Sequence, residues 1–133
     1  RFPNNTRPWQ YIFDLVTGYL GLVLKVSNEK KIFFDTFNFA PEQSFPAIDI
    51  INSAKNYWGD KFNFYVAKHK EAIFEEPKLS INSKKIYNYI GWQTNNHLSD
   101  ILEKTFFWYN SYLKNQNMVQ LNKKMIKIFF NSK

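Results

Sequence analysis

Two arginines set the terms of any chemistry this sequence can do. Arg1 and Arg7 stand near the start, and the other sixteen of the eighteen basic residues are lysine. Where lysine is the default cation, a retained arginine points to a planar, bidentate fork, whose usual partners are carboxylate and phosphate. The plain alternative is a surface arginine kept by chance. A second catalytic-looking string is Tyr57-Trp58-Gly59-Asp60-Lys61. In that Tyr-x-x-x-Lys spacing a lysine can lower a tyrosine's pKa so that phenolate acts as a base. The pair needs one helix face, and Gly59 predicts that the helix ends between its members, so the match reads as chance. Glu75 and Glu76, with Lys68 and Lys70 nearby, have the residue types for acid–base work, but mixed charge in a loop is more often solvated. His69 and His97 lie too far apart for a metal-spaced pair. There is no cysteine, hence no thiolate and no disulfide framework. No G-x-G-x-x-G, G-x-x-x-x-G-K-[ST] or G-x-S-x-G string occurs.

The elements that must position these residues follow from periodicity and breakers. Pro8 disfavours helix at Arg7, and Trp9–Phe13 reads as a short strand. Asp14 caps a helix over 14–26, with Leu15, Tyr19, Leu22 and Val26 on one face and Val16, Leu20 and Val23 beside them; its apolar character predicts burial. Ser27–Lys31 is polar, with a short helix possible up to Asp35. Phe37–Ala40 reads as a buried strand stopped by Pro41. Ser44 and Pro46 start another helix whose inner face is Ala47, Ile51, Ala54 and Trp58, with Gly59 at its end. Phe62–Ala67 alternates and reads as a strand, residues 68–78 as a charged loop, and Leu79–Ile81 as a second short strand. Asn82 caps a helix that Gly91 stops, with Ile86, Tyr89 and Ile90 inward. Helices over about 98–114 and 118–130 complete the chain. The reading is an α+β domain, mainly helical with a few short strands, too poor in strand to build a large sheet of its own.

Length and composition agree. The chain has 133 residues, enough for one domain with a real core, and 20% of them are aromatic, which favours burial over a solvated coil. The longest apolar stretch, Leu15–Leu24, is half a membrane span. The formal charge is +7, which raises nucleic acid, anionic lipid and phosphate-bearing ligands as partners. The lysines are dispersed, however, and the Lys, Asn, Ile and Phe bias is that of an A/T-rich coding sequence, so neither a nucleic acid nor a membrane is the expected partner. The chain reads as soluble and cytoplasmic, and as a piece of something longer.

Several segments together resemble the CDP-glucose 4,6-dehydratase family of extended short-chain dehydrogenases. Arg7-Pro-Trp-Gln-Tyr-Ile, followed by Leu15 and Gly18-Tyr-Leu, resembles its RPWQHV…L.GYL signature, and Arg1-Phe-Pro-Asn-Asn-Thr its RNPxAT lead-in. Phe37-Asn-Phe-Ala-Pro41 resembles NFGP. Glu75, Leu79-Ser-Ile-Asn-Ser-Lys-Lys85 and Ile90-Gly-Trp92 resemble HEA…LxLDxSKA…LGW, and Thr105-Phe-Phe-Trp-Tyr109 resembles TVxWY. Order and spacing hold from Arg1 to about Phe130. The departures are Tyr11 and Phe74 where the family has His, Ala40 for Gly, and Asn82 for Asp.

The resemblance implies the following. Residues 1–133 would be the C-terminal sugar-nucleotide-binding domain of an enzyme whose N-terminal Rossmann domain, absent here, carries NAD and the Tyr/Lys pair. The complete enzyme would take hydride from sugar C4, eliminate water across C5 and C6, and return the hydride to C6, giving CDP-4-keto-6-deoxyglucose from CDP-glucose. Substrate-binding positions carry over to Arg7, which would meet the pyrophosphate, and to Arg1, Trp9, Gln10 and Glu75; Trp9 and Tyr11 read as pocket wall or plain core, and for Trp9 core is the more usual role of a large aromatic. No catalytic, cofactor or metal residue is expected in this chain, and its partners would be the sugar nucleotide, the missing Rossmann domain and a second copy in a homo-oligomer. Two other readings stay open: a related nucleotide-sugar epimerase or reductase domain, and a freestanding basic module for RNA or membrane.

Overall fold

The computed structural model describes residues 2–29, 34–67, 74–94 and 97–131. Among the described residues five α-helices dominate: α1 (Ile12–Glu29), α2 (Ala47–Trp58), α3 (Lys84–Ile90), α4 (Leu98–Leu113) and α5 (Met118–Asn131). Two short strands, β1 (Thr6–Arg7) and β2 (Phe45–Pro46), pair antiparallel, with Thr6 opposite Pro46 and Arg7 opposite Phe45. The domain is thus α+β and mainly helical, as its sequence implies.

The helix boundaries follow local chemistry. Pro46 holds extended backbone ahead of α2, because its ring fixes φ and its missing N–H costs nothing at a helix start. Gly59 ends α2 at φ +62°, with its N–H on the Lys55 carbonyl. Asn82 Oδ1 accepts the Lys84 N–H at 2.9 Å, and Gly91, left-handed at φ +72°, closes α3. A side chain is strained at such a φ, which is why glycine stands there. Asn115, at φ +55°, turns the chain between α4 and α5.

The main core joins α2, α4 and α5. Tyr11, Ala54, Ile101, Leu102, Phe106 and Phe129 form it, with Trp58, Phe62 and Phe13 packed against it. A second nucleus joins α1 to α3. There the Phe39 ring meets Trp92 edge-on at 5.0 Å and Tyr19 at 5.0 Å. Trp92 Nε1 donates to the Asp14 carbonyl at 2.9 Å. Gly18 lets these rings approach: a Cβ there would lie 2.7 Å from both Phe39 and Trp92.

Several expectations are corrected. Trp9–Phe13 is not a strand: Pro8 has no N–H to continue the ladder, pairing stops at Arg7, and helix begins at Ile12. Phe37–Ala40 has no regular structure and joins no ladder among the described residues. Its backbone is satisfied instead by Ser83, whose hydroxyl accepts the Ala40 N–H at 2.9 Å and donates to the Ala40 carbonyl at 3.0 Å. Phe62–Ala67 is irregular, with Tyr65 exposed. Leu79–Ile81 is no strand either; pairing there is one parallel bridge, Thr6 to Lys78, flanked by Thr6 N–H to the Pro77 carbonyl and Leu79 N–H to the Thr6 carbonyl. Helix α1 extends beyond 14–26 at both ends and takes in Ser27–Glu29, while most of the segment expected as a further short helix, 30–33, lies outside the described residues. Nor is α1 a buried helix. Only Asp14 and Gly18 are buried, while Ile12, Val16, Tyr19, Leu20, Val23 and Leu24 form an exposed stripe, 42–65% accessible.

Candidate functional site

Arg7 is held at the edge of the small sheet and its fork points along the 74–79 segment. Nη1 donates to the Thr6 carbonyl at 2.7 Å and to the Glu76 carbonyl at 3.0 Å, and Nη2 pairs with the Glu75 carboxylate. Both side chains of the ion pair keep a quarter to a third of their surface accessible. A guanidinium carries five N–H donors, so two remain beyond these three bonds. The arrangement is a partly screened cation, oriented by backbone carbonyls and balanced by one carboxylate. It is suited to exchange that carboxylate for a phosphate without rebuilding its own position.

Trp9 sits two residues further along. Its Nε1 donates to the Phe45 carbonyl at 2.9 Å, across the sheet from Arg7. Trp9 and Phe45 line a broad cleft of about 1070 Å³ together with Asn82, Tyr87 and Trp92, whereas Arg7 and Glu75 are not among its lining residues. The volume is that of a site for a ligand of drug or nucleotide size. Trp9 is therefore both half-buried and cleft wall. Gln10 is half-buried with its Nε2 lacking a protein partner. Arg1 lies outside the described residues, as do His69, Lys68 and Lys70. Of the five candidate binding residues, then, Arg7 and Glu75 are in direct contact, Trp9 and Gln10 follow on the same segment, and Arg1 has no described position.

Other singled-out residues fall elsewhere. Tyr11 belongs to the core, its ring 5.2 Å from Phe13 and 6.1 Å from Phe129. Burial, and then the Asp14 carboxylate, push its phenol above the ordinary range. Tyr57 ends α2 against Trp58 and Phe106, while Lys61 lies in the short turn beyond Gly59, so the two do not share a helix face. His97 stands exposed at the start of α4, on the rim of the cleft. Sequence reasoning missed Phe45 and Ser83. Neither carries a local signal: Phe45 matters through its register with Arg7, and Ser83 through a contact 43 residues away.

No family model matches the chain. Among curated proteins it is similar to a CDP-glucose 4,6-dehydratase of Salmonella typhimurium, at 22% identity over 99% of this chain. The chain spans 37% of that relative's length. Among the described residues no helix is long and apolar enough to cross a membrane. The sequence is thus distantly related to a CDP-glucose 4,6-dehydratase, through a portion of that protein.

Proposed function

We propose that this chain is the sugar-nucleotide-binding part of a nucleotide-sugar 4,6-dehydratase acting on CDP-glucose. The carrying observation is the Arg7 fork, oriented on the sheet edge two residues before Trp9, which lines a cleft of about 1070 Å³. In this reading Arg7 exchanges Glu75 for the pyrophosphate, with Trp9 and Gln10 beside it. Binding energy from the remote nucleotide then holds the hexose for chemistry done elsewhere. In this reading the chain supplies no dinucleotide site, in keeping with a sequence that has no glycine-rich strand-to-helix turn. On the same reading NAD would be held by a separate domain, and this chain alone would turn over nothing.

The test is a titration of CDP-glucose, CDP and UDP-glucose into the chain, read by tryptophan fluorescence. The proposal expects saturable binding that prefers the cytidine ligands and weakens in Arg7→Ala. Equal affinity for UDP-glucose favours the epimerase or reductase relative. Conversion of CDP-glucose by the 133-residue chain, or binding indifferent to Arg7, overturns the assignment.

A further inference from the structure

Helix α5 carries a surface that the site does not use. Its inner side places Met118, Leu121, Met125 and Phe129 toward the protein, with Phe129 buried. Its outer side carries Val119, Ile126 and Phe130, which are 65%, 43% and 57% exposed. At 100° per residue these three fall within a narrow stripe. Exposed lysines Lys123 and Lys127 run one step round the helix beside it, with Lys124 beyond, and the helix contains no acidic residue. On the stripe's other border, Asn122 accepts the Trp108 Nε1 hydrogen bond at 2.8 Å, which fixes the Trp108–Tyr112 stack of α4 there. Tyr112 is 57% exposed.

We infer that this face docks on an anionic lipid bilayer. The argument is charge complementarity joined to the chemistry of the stripe. Lysines alone would suit any polyanion, but exposed Val, Ile and Phe between a lysine row and amphipathic aromatics match the headgroup–acyl boundary. A nucleic acid offers the aliphatic positions nothing to desolvate them, since its bases stack on aromatic faces. The exposed stripe of α1 differs, because on it the helix carries no lysine row: Lys25 projects from the opposite side of the helix. The inference departs from the sequence expectation of no membrane partner, which rested on the lysines being dispersed along the chain; three of them gather on one helix.

The chain has no cysteine, so Val119→Cys and Leu24→Cys each give a single site for an environment-sensitive dye. With phosphatidylglycerol vesicles the label at 119 should shift to the blue and the label at 24 should not. Sedimentation with these vesicles should exceed that with phosphatidylcholine, fall with salt, and drop about 25-fold in Lys123→Gln/Lys127→Gln, at about fivefold per lysine. Circular dichroism checks that the surface variants remain folded. Absence of vesicle binding, equal binding to neutral vesicles, or a shift at 24 rather than 119 overturns the inference. So does tighter binding to a single-stranded oligonucleotide that Val119→Ser/Phe130→Ser leaves unchanged.

Discussion

Replacing Arg7 with alanine should weaken sugar-nucleotide binding by about 10- to 150-fold. The range is the worth of a charge-assisted hydrogen bond, about 1.5–3 kcal/mol, converted to affinity. The same change costs the fold something, because Arg7 also ties the Glu76 carbonyl to β1. Arg7→Lys separates the two effects. Lysine keeps the charge but loses the fork, so it should recover part of the affinity. Glu75→Gln works in the opposite sense. In the free protein Glu75 competes with an incoming phosphate for Nη2, but the pair is partly exposed, so screening limits its worth to about 0–1 kcal/mol. Removing the charge should therefore tighten ligand binding by no more than about fivefold. Fluorescence titration with CDP-glucose reads all three variants, and in the complete enzyme the loss should fall on KM with kcat unchanged. If Arg7→Ala binds as the parent does, or Glu75→Gln binds more weakly, the exchange of carboxylate for phosphate is wrong.

Three further outcomes follow from other parts of the molecule. Gly18→Ala should destabilise by about 1–3 kcal/mol through overpacking against Phe39 and Trp92, whereas Gly21→Ala, whose Cβ would meet only Ile90 at 3.4 Å, should be neutral or gain up to about 1 kcal/mol of helix propensity; urea unfolding of both variants decides. The α1 stripe should make the isolated chain self-associate, and more so as salt screens its +7 charge; sedimentation showing a strict monomer at both salt levels, with no dye-accessible apolar surface, refutes this. The Tyr89 hydroxyl donates to Glu29 at 2.6 Å, and that carboxylate holds the phenol at about 12. Because the folded pKa is raised, the tie between α1 and α3 is intact below the ordinary tyrosine pKa and lost as pH rises through about 12. Tyr89→Phe should abolish that alkaline step in a near-ultraviolet titration.

The ends of α2 and α3 were legible because their signals are local, whereas α1 begins two residues before the Asp14 expected to cap it and runs three beyond Val26. Pro46, Gly59, Asn82 and Gly91 each act on backbone within a turn of themselves. Strands were not, because alternation reports only that successive side chains face opposite ways. In Phe37–Ala40 that alternation serves two helices: Phe37 stacks on Tyr89 at 5.3 Å and Phe39 turns to Tyr19 and Trp92. A buried strand and an extended segment wedged between helices share one pattern. The outward face of α1 was illegible for a related reason, since periodicity shows that a face is apolar but not what lies against it. The Arg7–Glu75 pair spans 68 residues, beyond the reach of any spacing rule, and only the family resemblance placed both residues in one site.

The segments that carry that resemblance are also the ones that meet across the fold. Gly18 of the Gly-Tyr-Leu string, Phe39 of the Asn-Phe-Ala-Pro string and Trp92 of the Gly-Trp string close on one another within the α1–α3 nucleus. Ser83, from the segment before α3, satisfies Ala40 of the second string. Arg7 joins the first string to Glu75. Most of these junctions are packing and backbone satisfaction, requirements that any ligand of the fold would leave in place. Only the Arg7 joint also has a charge accessible to a ligand. A resemblance carried by such positions therefore constrains architecture more tightly than substrate. The weight of the CDP-glucose assignment falls on Arg7, on Trp9 two residues along, and on the cleft that Trp9 lines, and the substitutions above are aimed at the first of these.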